Sequence, residues 1–353
     1  MNYLLAIYYL CFSVLDFLIR NLLKKRVIVA TPIFVAFLIY FIILPDHSGY
    51  KNIYENSPHL IEIVSNPFET FQTYGLEPGY LALNAAALSV GVSFDYFRFF
   101  IIFLILYVKL LVLSSLSKNF IVSSSAYLAF FLYMDLFILR QSIASTMVAI
   151  SIATLVSGNQ KKATFLLLIA PLFHVVSLLA WPIFILHRLR FKRQIYIFAL
   201  VCIFVLGYYG WAHVVASTFV QIIGEQSFIG DKLTRYGASH RGESLGVLRG
   251  SIMLHFILIM LVVSLIPPRC MDAKYFTILN ISVYAFMILT LFSDFAILGD
   301  RGYLVVGLPI AILYGYITSI FQPENRYIVS WVLVAAFVSA SFVTINSGAI
   351  SWA

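Results

Sequence analysis

Long apolar runs separated by short polar turns recur along the whole chain. Each run is continuous rather than alternating, and most approach the roughly 20 residues that a helix needs to cross a bilayer. Only helices and closed barrels satisfy their backbone groups in lipid, so continuous runs predict helices. The pattern predicts an all-α polytopic membrane protein of about 11–13 segments. The predicted segments are 3–19, 27–44, 80–92, 94–116, 120–134, 136–156, 163–186, 195–211, 250–266, 275–292, 302–321 and 328–345.

Segment 163–186 is predicted to be broken and re-entrant. It holds Pro171 and Pro182 on either side of His174, and proline is where a helix breaks. Basic clusters mark the cytoplasmic side of a membrane protein, and here they flank the segment at both ends. A pair of half-helices that returns to its starting side explains both features. The flanking basic residues are Lys161, Lys162, Arg188, Arg190, Lys192 and Arg193.

The positive-inside rule also predicts on which side of the membrane the other polar groups lie. Segment 80–92 is short for a crossing and is predicted to be re-entrant too. Under this topology the two long loops, 45–78 and 212–248, lie on the outer side together with Arg140. Lys109 is then predicted to snorkel toward the cytoplasmic face.

Composition excludes a soluble protein. Charged residues make up 11% of the 353 residues and hydrophobic residues 62%, whereas soluble domains carry about 25% charged residues. No repeat or linker divides the chain, so 1–353 is predicted to be one transmembrane domain. The net charge of +8 comes mostly from clusters between segments, which indicates topology signals rather than nucleic-acid binding. The first run, 3–19, lacks a basic leader and a small-residue cleavage site, which favours a retained span.

Polar residues gather at the predicted outer ends of the segments, where charge is expensive. Taken singly, each Asp or Arg is more often an interfacial anchor, each Tyr a belt aromatic, and His174 a packing residue. As a group, the outer arginines oppose the positive-inside bias, and an anionic ligand explains them. Arginine binds phosphate oxygens bidentately, which favours a phosphate-linked lipid headgroup. The candidates for substrate binding are Arg140, Gln141, Arg241, Arg249, Arg301, Tyr50, Tyr80 and Asn84.

The motifs of soluble enzymes are absent from the sequence. It contains no Gly-rich phosphate loop, no His-Glu-x-x-His helix and no Gly-x-Ser-x-Gly turn. We therefore expect no metal and no cofactor, and a substrate that arrives already activated. Two other functions stay open: a membrane acyltransferase that modifies surface glycans, and a transporter or flippase of lipid-linked oligosaccharides. The sequence does not match the early His/Arg pattern of such acyltransferases. Transporters usually show internal repeats, and this sequence has none.

Several short motifs follow one another in a particular order. They are an acid-and-tyrosine loop from Asp46, Glu77-Pro78-Gly79-Tyr80 with Asn84, Asp135 leading to Arg140-Gln141-Ser142-Ile143-Ala144, Lys161-Lys162 leading to Phe173-His174, and Asp300-Arg301. Together they resemble the EpsG/Wzy group of bacterial surface-polysaccharide polymerases, which includes the O-antigen polymerases. The resemblance covers 46–174 well and the C-terminal half loosely.

The resemblance implies a glycosyltransferase at the periplasmic face of the bacterial inner membrane. Such polymerases transfer a glycan from undecaprenyl diphosphate onto a lipid-linked repeat unit. The expected partners are therefore the lipid-linked donor and acceptor oligosaccharides and membrane lipid, with a chain-length regulator protein as a further candidate. The departing diphosphate needs cations, and the acceptor hydroxyl needs a base. The candidate bases are His174, His240, Asp46 and Glu77. Histidine titrates near neutrality, which favours the two histidines over the carboxylates, and His174 ranks first because it also belongs to the segment that carries the resemblance.

Overall fold

The computed structural model describes residues 48–212, 214, 218 and 246–346. Within these residues every regular element is helical and none is a strand, which confirms the all-α prediction. The predicted segments 3–19 and 27–44 lie outside the described residues, as does most of the predicted loop 212–248.

The described helices vary from one turn to more than six turns. Four 3₁₀ turns, Ala170–Leu172, Val175–Ala180, Pro268–Cys270 and Ile317–Ile320, separate some of them. In chain order the α-helices are α1 (Ser48–Glu55), α2 (Leu60–Ser65), α3 (Pro67–Tyr74), α4 (Pro78–Ser89), α5 (Phe94–Leu116), α6 (Phe120–Phe130), α7 (Leu132–Phe137), α8 (Leu139–Val156), α9 (Gln160–Ile169), α10 (Ile183–Leu186), α11 (Arg193–Tyr208), α12 (Gly250–Leu265), α13 (Ala273–Leu291), α14 (Ala296–Val306), α15 (Leu308–Tyr314) and α16 (Arg326–Asn346).

Three described helices, α5, α8 and α13, are long and apolar enough to cross a membrane. The 23 residues of α5 extend about 34 Å, more than the hydrocarbon core of a bilayer. A fourth candidate span is the pair 298–306 and 308–320, which is bent by 60°. The described part of the chain thus supports three or four spans by length and composition, and the larger number predicted for the whole chain stays a prediction.

Several helices begin and end where the apolar runs predict. α5 matches the run 94–116, and α12 and α13 match their runs to within two residues. Local chemistry explains the boundaries. The side chain of Asp272 accepts a hydrogen bond from the Tyr275 backbone N–H at 2.7 Å and so caps the start of α13. Pro267 follows the end of α12 and cannot continue a helix.

The predicted segment 120–134 is instead two helices. α6 has 11 residues and extends about 16 Å, roughly half of a bilayer core. The chain bends at Phe131, and α7 then carries Asp135 toward Lys109, whose Nζ lies 2.6 Å from the carboxylate. Lys109 is therefore not snorkelling, and that prediction is wrong. A charge this deeply buried is retained in an apolar interior because a counter-charge holds it.

The predicted break in segment 163–186 is confirmed. α9 ends at Ile169, and two 3₁₀ turns follow, with His174 in extended backbone between them. The chain then folds back. Arg188 Nη2 donates a hydrogen bond to Gln160 Oε1 at 3.1 Å, so the end of the returning limb lies beside the start of α9. His174 consequently lies near the tip of the folded-back segment.

One end of the bundle collects most of the basic side chains among the residues that the structure describes. Lys274 donates a hydrogen bond to the Ser115 carbonyl at 2.8 Å, which joins the end of α5 to the start of α13. Asn280 donates hydrogen bonds to the carbonyls of Leu186 and Leu189 at 2.7 and 2.8 Å, which brings the returning limb there too. We call this the basic end. Its basic residues include Lys118, Lys161, Lys162, Arg188, Arg190, Lys192, Arg193, Arg269, Lys274 and Arg326.

The region predicted as the loop 45–78 contains three short helices, α1, α2 and α3, in its described part. Ile63 of α2 packs against Leu81 and Ala85 of α4 in a small separate cluster. α4 has 12 residues, or about 18 Å, so it is too short to cross a bilayer, as its sequence predicts. Gly91, with a φ of 75°, then turns the chain into α5.

Candidate functional site

Glu77 binds two residues that are distant in sequence. Its Oε2 accepts a hydrogen bond from Arg140 Nη1 at 2.6 Å, and its Oε1 lies 2.9 Å from His174 Nδ1. The side chains of Glu77 and His174 are 16% and 8% exposed. The three side chains form the centre of the candidate site.

Three different elements position these side chains. Glu77 directly precedes α4, and Arg140 lies in the first turn of α8. His174 lies between the 3₁₀ turns of the folded-back segment. Gly79 permits the close approach of α4 to that segment, because a Cβ at this position would lie only 2.9 Å from the Leu172 carbonyl oxygen. A side chain at position 79 would therefore push Glu77 away from His174.

Glu77 is ionised, and this fixes the proton of His174. Burial opposes ionisation of Glu77, but the hydrogen bond from His174 and the charge of Arg140 outweigh it and lower the pKa of Glu77 to about 2. A carboxylate can only accept hydrogen bonds, so Nδ1 of His174 carries the proton and donates. In the neutral ring, Nε2 then holds the free lone pair.

Two tyrosines line the same site. The ring of Tyr80 lies 6.0 Å from Arg140 Cζ and makes an edge contact with the Tyr50 ring at 6.3 Å between centroids. Burial raises the pKa of Tyr50, while the charges of Arg140 and Arg301 oppose that rise. Tyr50 is therefore an uncharged hydrogen-bonding group within the influence of both arginines.

Gln141 connects the site to α14. Its Nε2 donates a hydrogen bond to the backbone carbonyl of Arg301 at 2.7 Å, across 160 positions of sequence. The side chain is fully buried, so this contact holds the middle of α14 against the start of α8. Arg301 is thereby kept on the same side of the molecule as Arg140.

Several buried polar atoms around this centre have no hydrogen-bond partner in the described part of the chain. Buried polar atoms are almost always paired, and each unpaired one costs about 1–3 kcal/mol. Unpaired atoms on both partners of Glu77, Arg140 and His174, indicate a site that binds a polar ligand. The atoms are Tyr80 OH, Asn84 Oδ1, Arg140 Nε, Gln141 Oε1, His174 Nε2 and Ser177 Oγ.

Ser177 was not among the residues predicted from the sequence. It is fully buried and lies on the 3₁₀ turn that follows His174, where its backbone N–H donates to the His174 carbonyl at 3.0 Å. The signal for it is its spacing of three residues from His174, the separation at which side chains of a 3₁₀ turn lie on one side.

The structure brings together most of the predicted substrate-binding residues, with exceptions. Asn84 is buried on α4 one turn after Tyr80, with its Nδ2 at 3.4 Å from Ser57 Oγ. Arg249 lies close enough to Asp300 for their charges to interact, and no contact joins it to Glu77. The predicted residues Asp46, His240 and Arg241 lie outside the described residues.

A second buried polar group lies deeper in the bundle. Lys109 Nζ donates to Ser145 Oγ at 2.8 Å as well as to Asp135. Asp135 also accepts a hydrogen bond from Tyr127 OH. The group joins α5, α6, α7 and α8. Arg140 also lies on α8, five residues after Asp135 in sequence.

Comparison with known proteins gives one result. No curated protein and no solved structure matches the chain. The profile of the EpsG family matches residues 25–353, which include every element of the site described above. The chain belongs to the EpsG family.

Proposed function

We propose that this protein is a polysaccharide polymerase, a glycosyltransferase that moves a glycan from undecaprenyl diphosphate onto a lipid-linked repeat unit. The supporting observation is the Glu77–His174 contact at 2.9 Å beside Arg140, with unpaired polar atoms around it. Membership of the EpsG family supports a role in surface polysaccharide synthesis, such as O-antigen or a related polymer.

His174 is the proposed general base. An acceptor hydroxyl oxygen attacks the anomeric carbon of the donor glycan, and a new glycosidic bond forms. The bond between that carbon and the diphosphate oxygen breaks, and the electron pair leaves with the diphosphate. The hydroxyl proton passes to Nε2 of His174, whose Nδ1 is held by Glu77. Glu77 stabilises the imidazolium that results, as a carboxylate behind a catalytic histidine does.

The arginines are proposed to bind the diphosphate. The charges of Arg140 and Arg301 both act on Tyr50, and Arg140 keeps a buried Nε without a partner in the described part of the chain. Fixed cations in a poorly hydrated site stabilise the charge that develops on the leaving group. Arg249, whose charge acts on Asp300, and Arg241 are proposed to contribute further positive charge, and Gln141 to hold Arg301.

Glu77 is proposed to orient His174 and not to take the proton itself. A carboxylate with a pKa of about 2 is a weak base at neutral pH. Asp46 and His240 stay as alternative bases until they are tested. Tyr50, Tyr80 and Asn84 offer aromatic faces and amide or hydroxyl groups, the chemistry that binds sugars.

The proposed orientation follows the charge distribution. The basic end faces the cytoplasm under the positive-inside rule, so the site faces the periplasm or cell exterior of the bacterial inner membrane. Lipid tails of the donor and acceptor would then lie in the membrane while their glycans meet at the site, which holds the reacting groups together.

One assay distinguishes this function from its alternatives. Purified protein in proteoliposomes receives a synthetic undecaprenyl-diphosphate repeat unit and nothing else. Glycan chains of increasing length, with release of undecaprenyl diphosphate, are expected. An unchanged substrate contradicts the proposal. A modified product that forms only when an acyl donor is added in a parallel reaction favours the acyltransferase, and movement of intact substrate across the bilayer favours the flippase.

A further inference from the structure

Two short helices beside the site expose apolar side chains that do not pack in the core. α2 and α3 present Ile61, Val64 and Phe68 with exposed fractions of 74%, 74% and 83%, next to Leu60 at 40%. Single exposed apolar residues are ordinary, but a group of neighbours marks an interaction surface. We call Leu60, Ile61, Val64 and Phe68 the apolar lip.

The opposite face of these helices already has its partners. Ile63 packs against Leu81 and Ala85, with Phe71 beside them. The Leu60 backbone N–H donates to Ser89 Oγ at 2.9 Å, which holds the start of α2 against the end of α4. The apolar lip therefore points away from the protein while the backbone that carries it is fixed.

The apolar lip continues a surface that faces lipid. Val90 follows Ser89 and is 76% exposed, and α5 begins four residues later. On α5, Tyr96 and Phe100 are 66% and 57% exposed and lie one turn apart. Because α5 is long and apolar enough to cross the membrane, its exposed apolar side chains contact acyl chains.

We propose that the apolar lip inserts into the bilayer leaflet nearest the site, with α2 and α3 lying along the membrane surface. An apolar face bounded by polar residues is the pattern of an interfacial helix. The flanking charges are the exposed acids Glu62 and Glu69, so the contact is with acyl chains and has no electrostatic preference for anionic lipid.

This surface has a consequence that rests on the proposed function. α2 and α3 lead directly into Glu77 and α4. A lipid-linked substrate that diffuses in the leaflet would pass over the apolar lip to reach His174, with its polyprenyl chain still in lipid. The apolar lip is thus the entrance by which the substrate moves sideways from the bilayer to the site.

Spin labels test the membrane contact independently of activity. In protein lacking Cys11, Cys202 and Cys270, Phe68→Cys and its control Glu69→Cys are labelled with a nitroxide and placed in phosphatidylcholine nanodiscs. Oxygen concentrates in the bilayer, whereas a nickel chelate stays in water. We expect the label at position 68 to collide mainly with oxygen and that at 69 mainly with nickel. Nickel access at both positions, or protection of position 68 from both reagents, overturns the proposal.

Substrate chain length tests the entrance. We compare the triple variant Ile61→Ser, Val64→Ser, Phe68→Ser with a control on the exposed face of α11: Phe198→Ser, Val201→Ser, Val205→Ser. For the undecaprenyl substrate, the variant of the apolar lip should raise KM several-fold with little change in kcat, and the control should not. For a water-soluble substrate with a short prenyl chain, the KM of the apolar-lip variant should equal that of wild type. Equal KM values in variant and wild type overturn the entrance, whereas no polymer from the wild type contradicts the polymerase function instead.

Discussion

At the scale of single residues, Glu77 divides its two carboxylate oxygens between a permanent cation, Arg140, and the proposed base, His174. The hydrogen bond from His174 and the charge of Arg140 keep the carboxylate ionised, and the ionised carboxylate holds Nδ1 of the His174 ring, which leaves Nε2 free. The two roles depend on each other, since a protonated Glu77 would neither pair with Arg140 nor stabilise an imidazolium. Substitutions of Glu77, Arg140 and His174 should therefore change activity and stability in different ways.

Replacing the base should remove catalysis and leave the fold intact. His174→Ala is expected to lower kcat by about 100- to 10,000-fold, the usual contribution of a general base. The matched control is His187→Ala, because His187 lies at the basic end and, among the described residues, its ring hydrogen-bonds only to the Ile183 carbonyl in its own turn. The hydrogen bond from Thr277 to the His187 backbone carbonyl does not involve the side chain of His187. Polymer yield from the lipid-diphosphate repeat unit measures both. Normal polymer from His174→Ala would move the role to His240 or to a carboxylate.

Replacing the carboxylate should change how stability depends on pH. Because the pKa of Glu77 is lowered to about 2, its ionised form stabilises the fold above the unfolded pKa of about 4.5, and this stability is lost as pH falls toward 2. The contribution is on the order of 3 kcal/mol. In detergent, the melting temperature of Glu77→Gln should lie below that of wild type by a constant difference from pH 8 to pH 5. Below pH 5 this difference in melting temperature should become smaller. A margin independent of pH would contradict the ionised pair.

The sequence predicts the members of the site but not their pairing. Charged and histidine side chains in apolar surroundings identify Glu77, Arg140 and His174, because such groups are retained only for a purpose. Their contacts join positions 63 and 97 residues apart, and no local pattern carries that information. Ser177 was missed because a serine in an apolar segment has no charge to draw attention to it.

At the scale of elements, two segments start at the basic end and stop partway across the bundle. α6 bends after 11 residues, and the folded-back segment turns at His174. Proline predicts the second break from sequence. The first has no proline: the stretch reads as one apolar run, and only the buried pairing of Lys109 with Asp135 accounts for the bend.

The buried pair predicts a particular result for single and double replacements. Asp135→Asn leaves the charge of Lys109 without its counter-charge in the interior, and breaking such a pair costs about 3–5 kcal/mol. Lys109→Met combined with Asp135→Asn removes both charges and should recover most of that loss. Thermal unfolding in detergent measures wild type, the single variants Asp135→Asn and Lys109→Met, and the double variant. Additive losses in the double variant would show that the two side chains act separately.

At the scale of the whole molecule, the basic end and the site lie at opposite ends of α8. Arg140 begins this helix, and Val156 ends it just before Gln160, the partner of Arg188. Continuous apolar runs predict this arrangement well wherever a run is one helix, as for α5 and α13. Runs alone do not predict the number of crossings, because half-length helices and interfacial helices have the same composition as spans.

The orientation is tested by labelling intact cells. In protein lacking Cys11, Cys202 and Cys270, a cysteine at the exposed position Lys51 reports the site end and one at Lys161 reports the basic end. A membrane-impermeant maleimide should label the first and label the second only after the cells are opened. The reverse pattern would show that the protein is inserted the other way round, with its site in the cytoplasm.

The hydrogen bonds from Asn280 to the returning limb have a consequence for how the protein is made. The limb that carries His174 is too short to stay in the membrane as a span, and Asn280 of α13, about 90 residues later, holds its end through Leu186 and Leu189. During synthesis the ribosome must deliver α13 before this limb is fixed. The returning limb is therefore completed late, and a chain that stops before α13 contains all three central residues but lacks these two hydrogen bonds to the limb.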